Sequence, residues 1–179
     1  MRRLIVTAAL LLLIPAAHAD GLDLFLSNST ASADYLTSFR GADLDVGFLF
    51  NDKSDWVASA GLLVLGRSYS SNSKVEGGFG AKLFFVSLGN TNVTALGVGG
   101  RAIWFPRSSR FGVGGYGYYA PDIVTSGGRS FLQVGVRAEY QLMETASIYI
   151  GYQNITVEPG GSGSQTVDDG PHIGIDLRF

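Results

Sequence analysis

The closing decapeptide, Gly170-Pro-His-Ile-Gly-Ile-Asp-Leu-Arg-Phe179, decides the fold. Ile173, Ile175, Leu177 and Phe179 fall on one face, and Gly174, Asp176 and Arg178 on the other. A period of two is that of a strand with one apolar face. The chain stops on the aromatic residue with no polar tail after it. A strand that closes a barrel in an outer membrane needs both features, because lipid meets one face and the terminal aromatic sits at the interface.

Upstream, residues 1–19 read as a signal peptide. Arg2 and Arg3 form a positive start, Leu4 to Ile14 an apolar core, and Ala17-His-Ala19 a small-x-small cleavage site. The apolar run is too short to span a bilayer comfortably, and Pro15 follows it directly. Removing 19 residues from 179 leaves a single domain of 160 residues, 20–179. Without the two arginines, 11 basic residues face 15 acidic ones, a net charge of −4. That balance, with no Lys/Arg stripe, argues against nucleic acid as a partner. There are no cysteines, so a secreted chain of this kind fits a Gram-negative envelope better than a disulfide-stapled extracellular domain.

Beyond residue 19 no apolar run approaches the length of a membrane helix. Yet 46% of the chain is hydrophobic and 12% aromatic, with 25 glycines. Such a chain carries its hydrophobicity as alternation. Ala42, Leu44, Val46, Phe48 and Phe50 share a face, with Asp43 and Asp45 opposite. Phe79, Ala81, Leu83 and Phe85 oppose Glu76 and Lys82, and Leu96, Val98, Ala102 and Trp104 oppose Arg101. Leu132, Val134, Val136, Ala138 and Tyr140 oppose Gln133, Arg137 and Glu139, and Ala146, Ile148, Ile150 and Tyr152 oppose Gln153. Trp56 to Leu65 and Phe111 to Tyr119 read as strands whose facing is blurred by Gly and Ala. The expectation is an all-β, up-and-down antiparallel transmembrane β-barrel of 8–10 strands, the last ending in Phe179.

Pro106 to Ser109 and Gln141 to Thr145 read as tight turns, and Ala120 to Arg129 and Ile155 to Asp169 as long external loops. Short periplasmic turns alternating with long outer loops are the outer-membrane pattern. Arg67 to Lys74 reads as too long for a periplasmic turn, and Leu88 to Asn92 as too short for an external one. Residues 20–39 hold one clear strand, Leu22 to Ser27. Either Asp34 to Arg40 adds a further short strand, which restores an even count, or 20–39 is a periplasmic segment outside an eight-stranded wall. Phe48, Phe50, Trp56, Phe85, Tyr118, Tyr119, Phe131 and Tyr152 are expected at the outer rim, and Trp104, Phe105, Phe111, Tyr140 and Phe179 at the inner one. Of these, Trp56, Trp104, Tyr119, Tyr140 and Phe179 are the foremost interface aromatics. A soluble sandwich or lipocalin-like barrel would bury its aromatics as core and show more charge than the 16% seen here.

The signal peptide, Tyr118-Tyr-Ala-Pro-Asp122, Gly151-Tyr152, Asp169-Gly-Pro171 and the final Gly174-x-x-x-x-Phe179 together resemble the YfaZ family of bacterial outer membrane proteins. The resemblance is best over residues 94–179. It implies a small barrel in the bacterial cell outer membrane and supplies no catalytic residues.

The glycine-rich stretches Gly97-Val-Gly-Gly100 and Gly112 to Gly117 lack the following helix that a phosphate loop requires, so they read as relief of crowding inside a small barrel. His172 is the single histidine of the mature chain, near Asp168, Asp169 and Asp176. A hydrolase or acyltransferase site would need a fixed nucleophile, whereas Ser162 and Ser164 lie in a Gly-rich loop. One histidine makes a metal cluster improbable, and Val167-Asp-Asp-Gly170 lacks calcium-loop spacing. We therefore expect no catalytic, cofactor-binding or metal-binding residues, and no cofactor.

The pleat points Asp43, Asp45, Glu76, Lys82, Arg101, Gln133, Arg137, Glu139, Gln153, His172, Asp176 and Arg178 into the lumen. Their signs nearly balance, which predicts a plugged, salt-bridged interior or a narrow path. Expected partners are outer-membrane lipid and the barrel-assembly machinery, the latter through the C-terminal strand, with any external ligand unspecified. The functional expectation is a structural or surface role, or a minor permeation path. A porin-like small-solute channel is the alternative, and a lipid-modifying enzyme or a soluble periplasmic β-protein are the lesser readings.

Overall fold

The computed structural model describes residues 21–39, 41–70, 73–89, 91–106, 109–161 and 163–179. The expected signal peptide, residues 1–19, lies outside the described residues. Eleven strands follow in order: β1 (Gly21–Ser27), β2 (Thr30–Phe39), β3 (Ala42–Asn51), β4 (Trp56–Ser70), β5 (Ser73–Leu88), β6 (Thr91–Pro106), β7 (Phe111–Ala120), β8 (Thr125–Ser126), β9 (Gly128–Met143), β10 (Ala146–Pro159) and β11 (Gln165–Arg178). Each long strand pairs antiparallel with its neighbours in the chain, and β7 pairs with β9 across the short β8. β1 pairs with β11 from Gly21–Arg178 to Ser27–His172, which closes a ten-stranded barrel. The two ends of the described chain therefore lie at the same rim, the periplasmic one in such barrels.

Alternation sets the two faces. In β3 the even-numbered Leu44, Val46, Phe48 and Phe50 are exposed, while Asp43, Asp45 and Leu49 are buried. The same holds around the wall, where Val64, Phe79, Val98, Val136, Ile150 and Ile173 all face out. The wall is inside-out relative to a soluble protein, with apolar groups outward and charge inward. Among the described residues no helix is long and apolar enough to cross a membrane.

Small residues let the wall close tightly. A Cβ on Gly80 would overlap the Leu62 carbonyl oxygen, and one on Gly99 would overlap that of Gly117. Gly80 and Gly99 are paired across β5 and β6, so backbones there approach more closely than any side chain allows. Both glycine-rich stretches lie within β6 and β7.

Several expected boundaries move. β1 and β2 both belong to the wall, so 21–39 supplies a hairpin rather than a periplasmic segment; Asp20 and Arg40 lie outside the described residues. β4 runs to Ser70 and β5 begins at Ser73, and cross-strand pairing persists to Ser70–Ser73. Of the apparent long turn Arg67 to Lys74, residues 67–70 and 73–74 are strand, and 71–72 lie outside the described residues. Likewise β9 runs to Met143. Most of Ile155 to Asp169 is also strand, because Ile155, Val157 and Val167 are 0–5% exposed and anchor it inward. The connection proper is confined to 160–164.

Candidate functional site: a charged chamber beneath an apolar fill

The lumen has two halves. In the external half, inward-facing Phe84, Phe131, Ile155, Val157, Val86 and Val93 are 0–2% exposed. Phe84 and Phe131 stack with centroids 4.2 Å apart, and Tyr118 meets Phe84 edge-on at 5.9 Å. Below them lies a cavity of about 280 Å³ that reaches the terminal rim at Gly21, Glu76 and Arg178.

Three groups of side chains line or brace this chamber. Arg137 of β9 reaches Asp23 of β1 at 2.7 Å, Glu139 at 3.1 Å and Asp176 of β11 at 3.6 Å. Its guanidinium lies over the Tyr149 ring, and the Tyr149 hydroxyl donates to Asp23. Nearer the rim Arg178 bridges Asp176 at 3.3 Å and Glu76 at 3.5 Å. Across the lumen Lys82 of β5 bridges Asp45 at 2.9 Å and Asp34 of β2 at 3.6 Å, and Arg101 holds Asp43 at 2.5 Å. Lys82 also lies within 6 Å of the Phe84 and Tyr118 ring centres, where the chamber meets the apolar fill.

A hydrogen-bonded network spans the boundary. Thr30 donates to Asp168 at 2.6 Å, Gln153 donates to the other Asp168 oxygen at 2.6 Å, and Tyr116 donates to Gln153 at 2.6 Å. Asp168 is thus buried within β11, with each carboxylate oxygen accepting a hydrogen bond, rather than in an external loop. His172 is 5% exposed, with its ring 4.5 Å from Phe25 and 5.9 Å from Tyr149. The described Ser164 is exposed in the β10–β11 connection, and Ser162 lies outside the described residues. Among the described residues no group of three His, Cys, Asp or Glu side chains could hold a metal ion.

Of the twelve polar residues read as inward from the sequence, all but Glu139 line the chamber, and Glu139 is buried behind Arg137. Alternation missed Asp23 and Asp34, whose strands β1 and β2 are short and broken by Phe25 and a run of small residues. They change the balance: the described lining carries six carboxylates against four cations.

The aromatics divide differently from expectation. Trp104, Tyr119, Tyr140 and Phe179 are exposed on the outer wall near strand ends, and Trp56 stacks on Phe48 there. Tyr118, Phe131 and Phe105 are 0–7% exposed and point inward. The pleat requires this, since Tyr118 and Phe105 each adjoin an outward aromatic, Tyr119 and Trp104.

A closed antiparallel wall, apolar outside and charged inside, with β1 paired to β11, defines a small β-barrel of the bacterial outer membrane. The chain belongs to the YfaZ family, whose model, described as "YfaZ precursor", matches residues 1–179. The "Outer membrane protein YfaZ" of Escherichia coli (strain K12) is 34% identical over 86 residues, which is 48% of this chain and 47% of that protein. The chain thus aligns with about half the length of that relative. Among solved structures, a KdgM porin in complex with disordered oligogalacturonate shows a TM-score of 0.44 at 10% identity, covering 89% of this chain and 98% of that one. A bacterial polysaccharide outer membrane secretin shows a TM-score of 0.38 at 11% identity, covering 89% and 69%.

Proposed function

We propose that this protein is a non-enzymatic wall and surface component of the outer membrane whose lumen does not run through. The apolar fill carries the reading. Side chains packed to 0–2% exposure occupy the lumen above the chamber, and an apolar constriction blocks ions by excluding their hydration water. The inward polar residues then act structurally, tying opposite strands together by ion pairs. Trp56, Trp104, Tyr119, Tyr140 and Phe179 hold the barrel at the two membrane interfaces, and β11 presents the strand that the barrel-assembly machinery engages. A hydrolytic or acyl-transfer role gains no support from His172, since its ring is packed against Phe25 and Tyr149.

Planar-bilayer recording of the refolded protein tests this. The expected result is silence. Reproducible, ion-selective steps comparable to those of a porin would overturn it in favour of a small-solute channel.

A further inference from the structure

On its way to the external rim the wall is interrupted between β7 and β8. β6 pairs with β7 as far as Val98–Tyr119, and its next partners are Ala95–Thr125 in β8. Over that interval β6 advances three residues and the opposite chain six, so three extra residues must leave the wall. The inward side is full: Val93, Ala95, Ala120 and Phe131 behind the interruption are 0–1% exposed. The excess therefore projects outward, as the one-turn 3-10 segment Asp122–Val124.

The tip is apolar. Ile123 is 92% exposed and Val124 37%. The other long connection, 160–164, is by contrast Gly- and Ser-rich. The turn leaves the wall beside Leu96 and Thr94 of β6, which lie opposite Leu83 and Phe85 of β5. That is the level at which Phe85 and Tyr119 face outward. Part of the turn's backbone is paired within the turn itself. The Val124 N–H donates to Pro121 O at 3.1 Å, the Thr125 N–H to Asp122 O, and the Thr125 hydroxyl to Pro121 O at 2.9 Å. Pairing of these groups lowers the cost of bringing irregular backbone close to acyl chains, while the remaining polar groups stay within reach of interfacial water.

We propose that the turn 121–125 is a membrane-interface anchor, which inserts Ile123, with Val124 beside it, at the boundary between headgroups and acyl chains of the external leaflet. Asp122 then sits among the headgroups, and the wall keeps its closure because β8 resumes the pairing with β6.

The chain has no cysteine, so a single introduced thiol reports one position. Ile123→Cys, Val124→Cys and Ser164→Cys proteins are labelled with a solvatochromic thiol dye and refolded into phosphatidylcholine vesicles. Heat-modifiable gel mobility confirms each fold. The expected result is emission from position 123 that is blue-shifted relative to position 164 and quenched by lipid brominated near the acyl carbonyl. Should Ile123→Cys fail to fold, Val124→Cys carries the same test. Water-like, unquenched emission would overturn the anchor. Blue-shifted emission that brominated lipid does not quench would also overturn it, and would point to a protein partner or a second copy at the turn.

Discussion

Arg137 reaches carboxylates on β1, β9 and β11 at once. Glu139 is 1% exposed, and its oxygens make no hydrogen bond, so the ion pair with Arg137 is what compensates its burial. Losing one partner of a buried pair leaves an uncompensated charge and costs about 3–5 kcal/mol, whereas replacing the whole set with neutral groups of similar shape costs far less. Arg137→Ala should therefore lower the urea midpoint of the vesicle-embedded barrel strongly. Arg137→Met combined with Glu139→Gln, Asp23→Asn and Asp176→Asn should restore much of it. Equal losses in the two proteins would show that the cluster does not hold the wall through its charges. Arg137, Glu139 and Asp176 were legible in the sequence because each interrupts a long apolar alternation. Asp23 was not, because Phe25 faces inward beside Leu24 and Leu26 and hides the period of its strand.

At several cross-strand pairs a large inward side chain sits opposite an inward glycine on the neighbouring strand. The Tyr149 ring occupies the space where a Cβ on Gly174 would fall, Tyr116 does the same at Gly135, and His172 at Gly151. Filling such a seat forces a ring off its rotamer, which costs about 1–3 kcal/mol. Gly174→Ala should destabilise the barrel by that order. Gly170→Ala, on the same strand with nothing within 4 Å of its added methyl, should be close to neutral. Indistinguishable midpoints would remove the seat as an explanation. On the opposite face, Ile150 is 65% exposed toward lipid. Ile150→Arg should cost about 2–4 kcal/mol in vesicles, the value for arginine on a barrel wall at midplane depth. These glycines also explain where sequence reading ran out. Around Gly112 to Gly117 the pleat dictates that only one of Tyr118 and Tyr119 faces lipid, but glycines carry no polarity to say which. Packing of Tyr118 against Phe84 decides it. The outer ends of β10 and β11, within Ile155 to Asp169, look like loop in the sequence for a related reason: the Gly- and Ser-rich turn residues between them mask the alternation of Ile155, Val157 and Pro159.

At the scale of the molecule, the barrel is a core at one end and a chamber at the other. Ten strands enclose little more than their own side chains, so the external half is filled by rings and branched aliphatics, as in a soluble core. The opposite half keeps its space because ion pairs hold long side chains against the wall. The chamber therefore opens toward the termini alone, and the two faces of the membrane should report it differently. Ser38 lies exposed at its mouth. In a Ser38→Cys protein a membrane-impermeant maleimide should label the thiol only after the outer membrane is permeabilised, while the exposed Ser164→Cys should react in intact cells. Prompt labelling of Ser38→Cys from outside would require either a water path past Phe84 and Phe131 or an inverted barrel. The two are separable: inversion would abolish external labelling of Ser164→Cys, and an open lumen would leave it unchanged.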